Sequence, residues 1–139
     1  MEYALPVEVG LECFERVRDR VLERWRADVG WRLLCRTVAA DDAFLSTEYD
    51  RETMTISLIQ HAELPFDEYF DSFEPLFDEY DGRPHWGKRH GLRAPELRER
   101  YPAWDHFLAV RREFDPDGVF LNPYLQRLFG VRGGGRYSG

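Results

Sequence analysis

The sequence holds 139 residues, 43% hydrophobic and 15% aromatic, enough apolar surface for one core of ordinary size, which excludes wholesale disorder. Its 26 acidic and 19 basic side chains leave a net charge of -7, which repels phosphate backbones and anionic lipid and excludes nucleic acid as the expected partner.

Residues 1–6 read as a short strand. From 7 to 26, apolar residues recur at Val9, Cys13, Phe14, Val17, Val21, Leu22 and Trp25, the three- and four-residue spacing of an amphipathic helix with a charged outer face. Asp28 and Gly30 break that pattern, and 31–40 resumes as an extended, largely apolar segment, predicting a strand buried on one or both faces. Cys13 and Cys35 both have apolar neighbours and are expected to be two buried thiols rather than metal ligands.

The polar stretch 41–52 is a connection. Its Asp41 and Asp42 read as turn and capping residues, because adjacent residues on a strand face opposite ways and cannot flank one glycosidic bond. Residues 53–60 alternate in the β-branched style of a second strand, and from about Pro65 a helix carries Phe66, Tyr69, Phe70, Phe73, Leu76, Phe77 and Tyr80 on one side. This aromatic stripe reads as core. The order strand, helix, strand, strand, helix predicts an α+β fold: an antiparallel sheet with helices on one face, followed by a C-terminal loop and short helices.

A loop rich in Gly, Arg, His and Lys is expected over 82–93, then helices near 94–100 and 103–114. Asp115, Pro116, Asp117 and Gly118 form a turn by residue type, and the glycine-rich tail 131–139 is expected to be flexible. With no repeat and no linker, residues 1–130 read as one domain. The start carries no signal-peptide pattern and the chain has no run of 18 apolar residues, so a cytoplasmic protein is expected, with membrane association conceivable only for a holoenzyme.

Functional side chains concentrate in Arg83, His85, Trp86, Lys88, Arg89 and His90, a cationic cluster in an acidic chain. Two readings stand: a site for an anionic or electron-rich ligand, or a solvated loop paired with surface carboxylates. The histidine and cysteine spacings supply no tetrahedral zinc set, so no metal is expected, and there is no glycine-rich phosphate cradle and no nucleophile elbow.

Several ordered blocks together resemble a known family. Gly82-Arg83-Pro84-His85-Trp86-Gly87-Lys88, Tyr101-Pro102 with Trp104 and Phe107, Val110-Arg111, Asp115 through Asn122, Tyr124-Leu125 and Leu128-Phe129-Gly130 are similar to the C-terminal signature of the aldonolactone oxidase family. Glu2-Tyr3-Ala4-Leu5-Pro6 and Asp41-Asp42-Ala43-Phe44-Leu45-Ser46 with Tyr49 and Arg51 resemble earlier segments of the same region. The family comprises arabinonolactone, gulonolactone and galactonolactone oxidising enzymes and alditol oxidases, within the vanillyl-alcohol-oxidase flavoproteins.

The resemblance implies that residues 1–130 form the cap, or substrate domain, of an FAD-dependent oxidoreductase acting on a sugar-1,4-lactone or polyol. FAD would be bound mainly by a domain absent from this chain, and the partner would be that flavin-binding domain or subunit. It further implies that Lys88 faces the reacting centre and that His85, His90 and Asn122 lie toward the cofactor. Lys88, Arg36 and Ser57 would meet substrate, Lys88 and Arg36 carrying the catalytic electrostatics. The family places a Glu-X-Arg pair on the strand before Asp41; here the arginine is Arg36 and the glutamate position holds Leu34. That departure, with the missing flavin domain, keeps open the alternative of a non-catalytic remnant or interaction module. A stand-alone ligand binder using the basic loop is a third reading.

Overall fold

The structure is a computed structural model and describes residues 1–131. The flexibility expected of the tail concerns, from 132 onward, positions outside the described residues. Contacts group the described residues into two compact units, one of residues 1–42 and 46–91, the other of 43–45 and 92–131.

The first unit is a four-stranded antiparallel sheet with helices against one face. Its strands are β1 (Glu2–Pro6), β2 (Leu34–Val38), β3 (Thr53–Ser57) and the two-residue β4 (Arg83–Pro84), in the spatial order β2-β3-β1-β4. The central strand β1 has Tyr3, Ala4 and Leu5 fully buried. Helix α1 (Val7–Arg20) follows directly and runs on as a π-helical extension, Val21–Trp25. It buries Gly10, Cys13 and Val17. A glycine inside a helix costs about 0.5–1 kcal/mol relative to alanine. Gly10 is there because a Cβ would lie 2.4 Å from the Cβ of Met54 on β3, so only a bare Cα lets helix and sheet approach this closely.

The aromatic stripe folds as two short helices, α2 (Asp67–Asp71) and α3 (Glu74–Glu79), rather than one. It is core, as expected: Tyr69, Phe70, Phe73, Leu76 and Phe77 are buried. Phe77 stacks on Tyr3 with ring centroids 4.7 Å apart, tying α3 to the same sheet face that α1 covers.

Three sequence expectations are corrected here. Strand β2 is exposed along its whole length, because it forms the sheet edge and β3 is its only strand partner among the described residues. Consequently Cys35 is exposed and only Cys13 is a buried thiol; both are free. The stretch expected to be loop from 82 begins instead with β4, whose pairing with Tyr3 and Ala4 makes it a short second edge.

The second unit contains α4 (Ala94–Arg100), α5 (Trp104–Phe114) and α6 (Pro123–Phe129). Trp104 and Phe107 both meet Phe129, at 5.7 and 5.3 Å between ring centroids. The turn expected at 115–118 is present: the Asp115 carboxylate accepts from the backbone amides of Val119 and Phe120, and Gly118 takes a φ of 69°. Among the described residues, no helix is long and apolar enough to cross a membrane.

Candidate active site

The helix-covered face of the sheet carries Tyr3, Leu5, Met54 and Ile56. Period-two alternation therefore puts Glu2, Ser57, Thr55, Leu34 and Arg36 together on the other face. The register is explicit: Leu34 and Glu2 both stand directly opposite Ser57, on its two sides.

Two predicted substrate residues meet in this row through a third that the sequence reading did not single out. Glu2, its side chain only 10% exposed, accepts hydrogen bonds on Oε2 from the Ser57 hydroxyl and from Nη2 of Arg36, the latter at 3.1 Å. The Arg36 side chain is 61% exposed, so its remaining N–H groups face solvent. Beside it Leu34 is 43% exposed and borders an open hollow of about 670 Å³ lined also by Val29, Gly30, Trp31 and Arg32. The face thus combines an open guanidinium, a buried carboxylate and an apolar wall. Such a surface recognises hydroxyl and carbonyl oxygens against a carbon skeleton.

The basic loop starts from this same row. The backbone amide of His85 donates to the carbonyl of Glu2 at 3.0 Å, continuing the β4 pairing, and the loop turns immediately, with the Lys88 amide on the His85 carbonyl at 3.0 Å. Its far end is fixed by Glu74, whose Oε1 accepts from the Gly91 amide at 2.7 Å and from the Tyr3 hydroxyl. A Cβ at Gly91 would lie 2.6 Å from the other Glu74 oxygen, so glycine permits this clamp.

Within the loop the cations are not equivalent. Arg83 is buried and donates to the carbonyls of Thr47 and Tyr49, a structural role. Arg89 pairs with Asp67 and lies 5.2 Å over the Phe66 ring. His85 folds back, its Nδ1 accepting from the Gly87 amide at 3.0 Å, while His90 lines a cavity of about 230 Å³ with Met1, Asp71, Arg89 and Gly91. Lys88 is exposed, and its ammonium has no hydrogen-bond or ion-pair partner among the described residues. The Met1 amine, which donates to the Leu58 carbonyl, is pushed down to about 6, by burial first and then by the charge of Lys88. The paired-surface reading therefore fits Arg89 and fails for Lys88. A free, exposed ammonium on a loop held at both ends suits a ligand group that gathers negative charge.

Asn122 belongs to the second unit, where its Oδ1 caps α6 by accepting from the Leu125 amide at 2.8 Å. Among the described residues, no group of three or more His, Cys, Asp or Glu side chains could hold a metal ion.

A family model described as D-arabinono-1,4-lactone oxidase matches residues 1–128. The chain belongs to that family. It is 50% identical over 130 residues to an L-gulono-1,4-lactone dehydrogenase of Mycobacterium tuberculosis, covering 94% of this chain and 30% of that protein. It is also 32% identical over 132 residues to an L-gulonolactone oxidase of Scyliorhinus torazame, and 36% identical over 134 residues to an alditol oxidase of Streptomyces. Those matches cover 92% and 91% of this chain, and 30% of each relative. The chain thus spans under a third of the length of the curated relatives it matches. This D-arabinono-1,4-lactone oxidase family member has the α+β fold expected from the order of its strands and helices, and the Lys88 loop lies in the same sheet unit as Arg36 and Ser57.

Proposed function

We propose that this chain is the substrate-side, C-terminal portion of an FAD-dependent oxidoreductase that oxidises a sugar-1,4-lactone or polyol, with the flavin bound mainly by a separate domain or subunit. The observation that carries this reading is the free Lys88 ammonium, on a loop leaving the sheet at Glu2, whose side chain pairs with Arg36 and Ser57. The names of the relatives support the substrate class. A docking flavin domain is supported by apolar side chains left exposed within the sheet unit, Trp31, Leu34 and Val38. The free thiols at Cys13 and Cys35 support a reducing, cytoplasmic setting.

The bound flavin would supply the acceptor for the hydride leaving the carbinol carbon. Lys88 presents fixed positive charge to the group on which negative charge develops, a contribution that grows once water is excluded. Arg36 donates to the lactone or hydroxyl oxygen, holding the carbinol carbon in one orientation. Ser57 donates to Glu2 and so keeps that carboxylate, and through it Arg36, in place. His90, near the far end of the loop, helps to orient it, and Asn122 keeps α6 capped.

A second reading, a chain that retains the fold without the chemistry, is favoured by the leucine at 34. One experiment decides between them. The chain replaces the corresponding C-terminal segment of the M. tuberculosis relative, and lactone-dependent reduction of an artificial acceptor is measured. Turnover with L-gulono-1,4-lactone or an alditol supports the enzyme reading; a flavin-loaded chimera inert to both supports the second.

A further inference from the structure

We propose that Glu2 is the hydroxyl-binding carboxylate of this site and supplies, from the neighbouring strand row, the acceptor that the leucine at 34 cannot provide; this rests on the lactone- or polyol-binding reading above. Leu34, Ser57 and Glu2 lie in one row on one face, so a carboxylate at either end of it reaches the same guanidinium. Glu2 already makes that contact, at 3.1 Å from Arg36 Nη2.

The hydrogen-bond inventory is what turns a buried ion pair into a binding site. Both protein donors, Ser57 and Arg36, fall on Oε2. Oε1 accepts from no described residue and is not sealed away among the buried unpartnered atoms. A carboxylate only accepts, whereas a sugar hydroxyl both donates and accepts. The arrangement therefore suits a polyhydroxylated ligand whose O–H donates to Glu2 Oε1 while a neighbouring oxygen accepts from the open edge of Arg36, its carbon skeleton resting against Leu34. Ser57 and Arg36 fix the carboxylate beforehand, so little ordering remains at binding.

The test uses the full 139-residue chain titrated with L-gulono-1,4-lactone and followed by NMR at the Leu34, Arg36 and Ser57 amides and the Glu2 side-chain carboxyl carbon. Saturable shifts that include the Glu2 carboxyl are expected. Glu2→Gln should weaken binding by about tenfold or more, the scale of a lost hydrogen bond to a charged group. Adding Leu34→Glu to that variant should recover most of the affinity, which a purely structural role for Glu2 would not produce. The unchanged chain supplies an answer even if Glu2→Gln does not fold, because a carboxyl resonance indifferent to lactone overturns the proposal by itself. Binding that leaves that carboxyl and the Glu2→Gln affinity unmoved removes Glu2 from the site but keeps the lactone-binding reading. Absence of any saturable shift on this face removes both.

Discussion

Leu34 and Glu2 flank Ser57 in a single row of the sheet, an exposed apolar chain on one side and a buried carboxylate on the other. Arg36, two residues from Leu34 along β2, closes the row by pairing with Glu2. Its guanidinium has planar, directional donors that an ammonium lacks. In the chimera, Arg36→Lys should raise KM for L-gulono-1,4-lactone by about tenfold with a smaller effect on kcat, as expected when ground-state orientation is lost. Steady-state kinetics across lactone concentration checks this, and an unchanged KM would remove Arg36 from substrate contact.

Glu74 holds the far end of the Lys88 loop without touching any proposed ligand. Glu74→Ala removes the acceptor for the Gly91 amide. Loss of one charge-assisted hydrogen bond, about 1.5–3 kcal/mol, corresponds to amide exchange at Gly91 faster by roughly tenfold or more. Hydrogen exchange read by NMR gives the value, and the amides of β3 should stay protected in the same sample.

At Gly10 the approach of α1 to β3 leaves no room for a methyl group. Gly10→Ala should destabilise the chain by about 1–3 kcal/mol through overpacking, despite the better helix propensity of alanine. Urea denaturation of the two proteins measures the difference.

The two thiols should differ sharply. Burial pushes Cys13 up from near 9 to about 12, leaving about one thiolate in ten thousand at pH 8. Cys35 is raised by burial as well but is exposed. Iodoacetamide at pH 8 should label Cys35 alone in the native chain and both residues in guanidinium, as mass spectrometry of the digested protein would show. The sign of the linkage follows: the fold favours the protonated Cys13 thiol, so its contribution is intact below about pH 9 and is lost as pH rises toward 12.

Much of this molecule is legible in its sequence where the signal is local. The spacing of Cys13, Val17 and Val21 specifies the buried side of α1 and its π-helical extension, and Tyr69, Phe70, Phe73, Leu76 and Phe77 specify the core under the sheet. What escapes a local reading depends on pairing across long separations. Whether the apolar strand β2 is central or at an edge is decided by its partners, and the short β4 exists only because β1 is there to receive it. Helix α6 goes unread although Asn122, Pro123 and Gly130 are an N-cap, a first-turn proline and a left-handed C-cap. Among the proposed site residues, Arg36, Ser57 and Lys88 follow from family resemblance. Glu2 does not, because residues 1–6 read simply as a short strand and its partner Ser57 lies 55 residues away.

The measurement that bears most directly on the account is the anaerobic reduction of flavin by L-gulono-1,4-lactone in the chimera, followed in a stopped-flow instrument for Lys88→Met beside Arg89→Met. Lys88 is the unpaired cation of the loop, whereas Arg89 is taken up by Asp67 and Phe66. The account predicts flavin reduction slowed by about a hundredfold or more in Lys88→Met, the scale of one lost electrostatic contact to developing charge, and little changed in Arg89→Met. Reduction at the unmodified rate in Lys88→Met would contradict it.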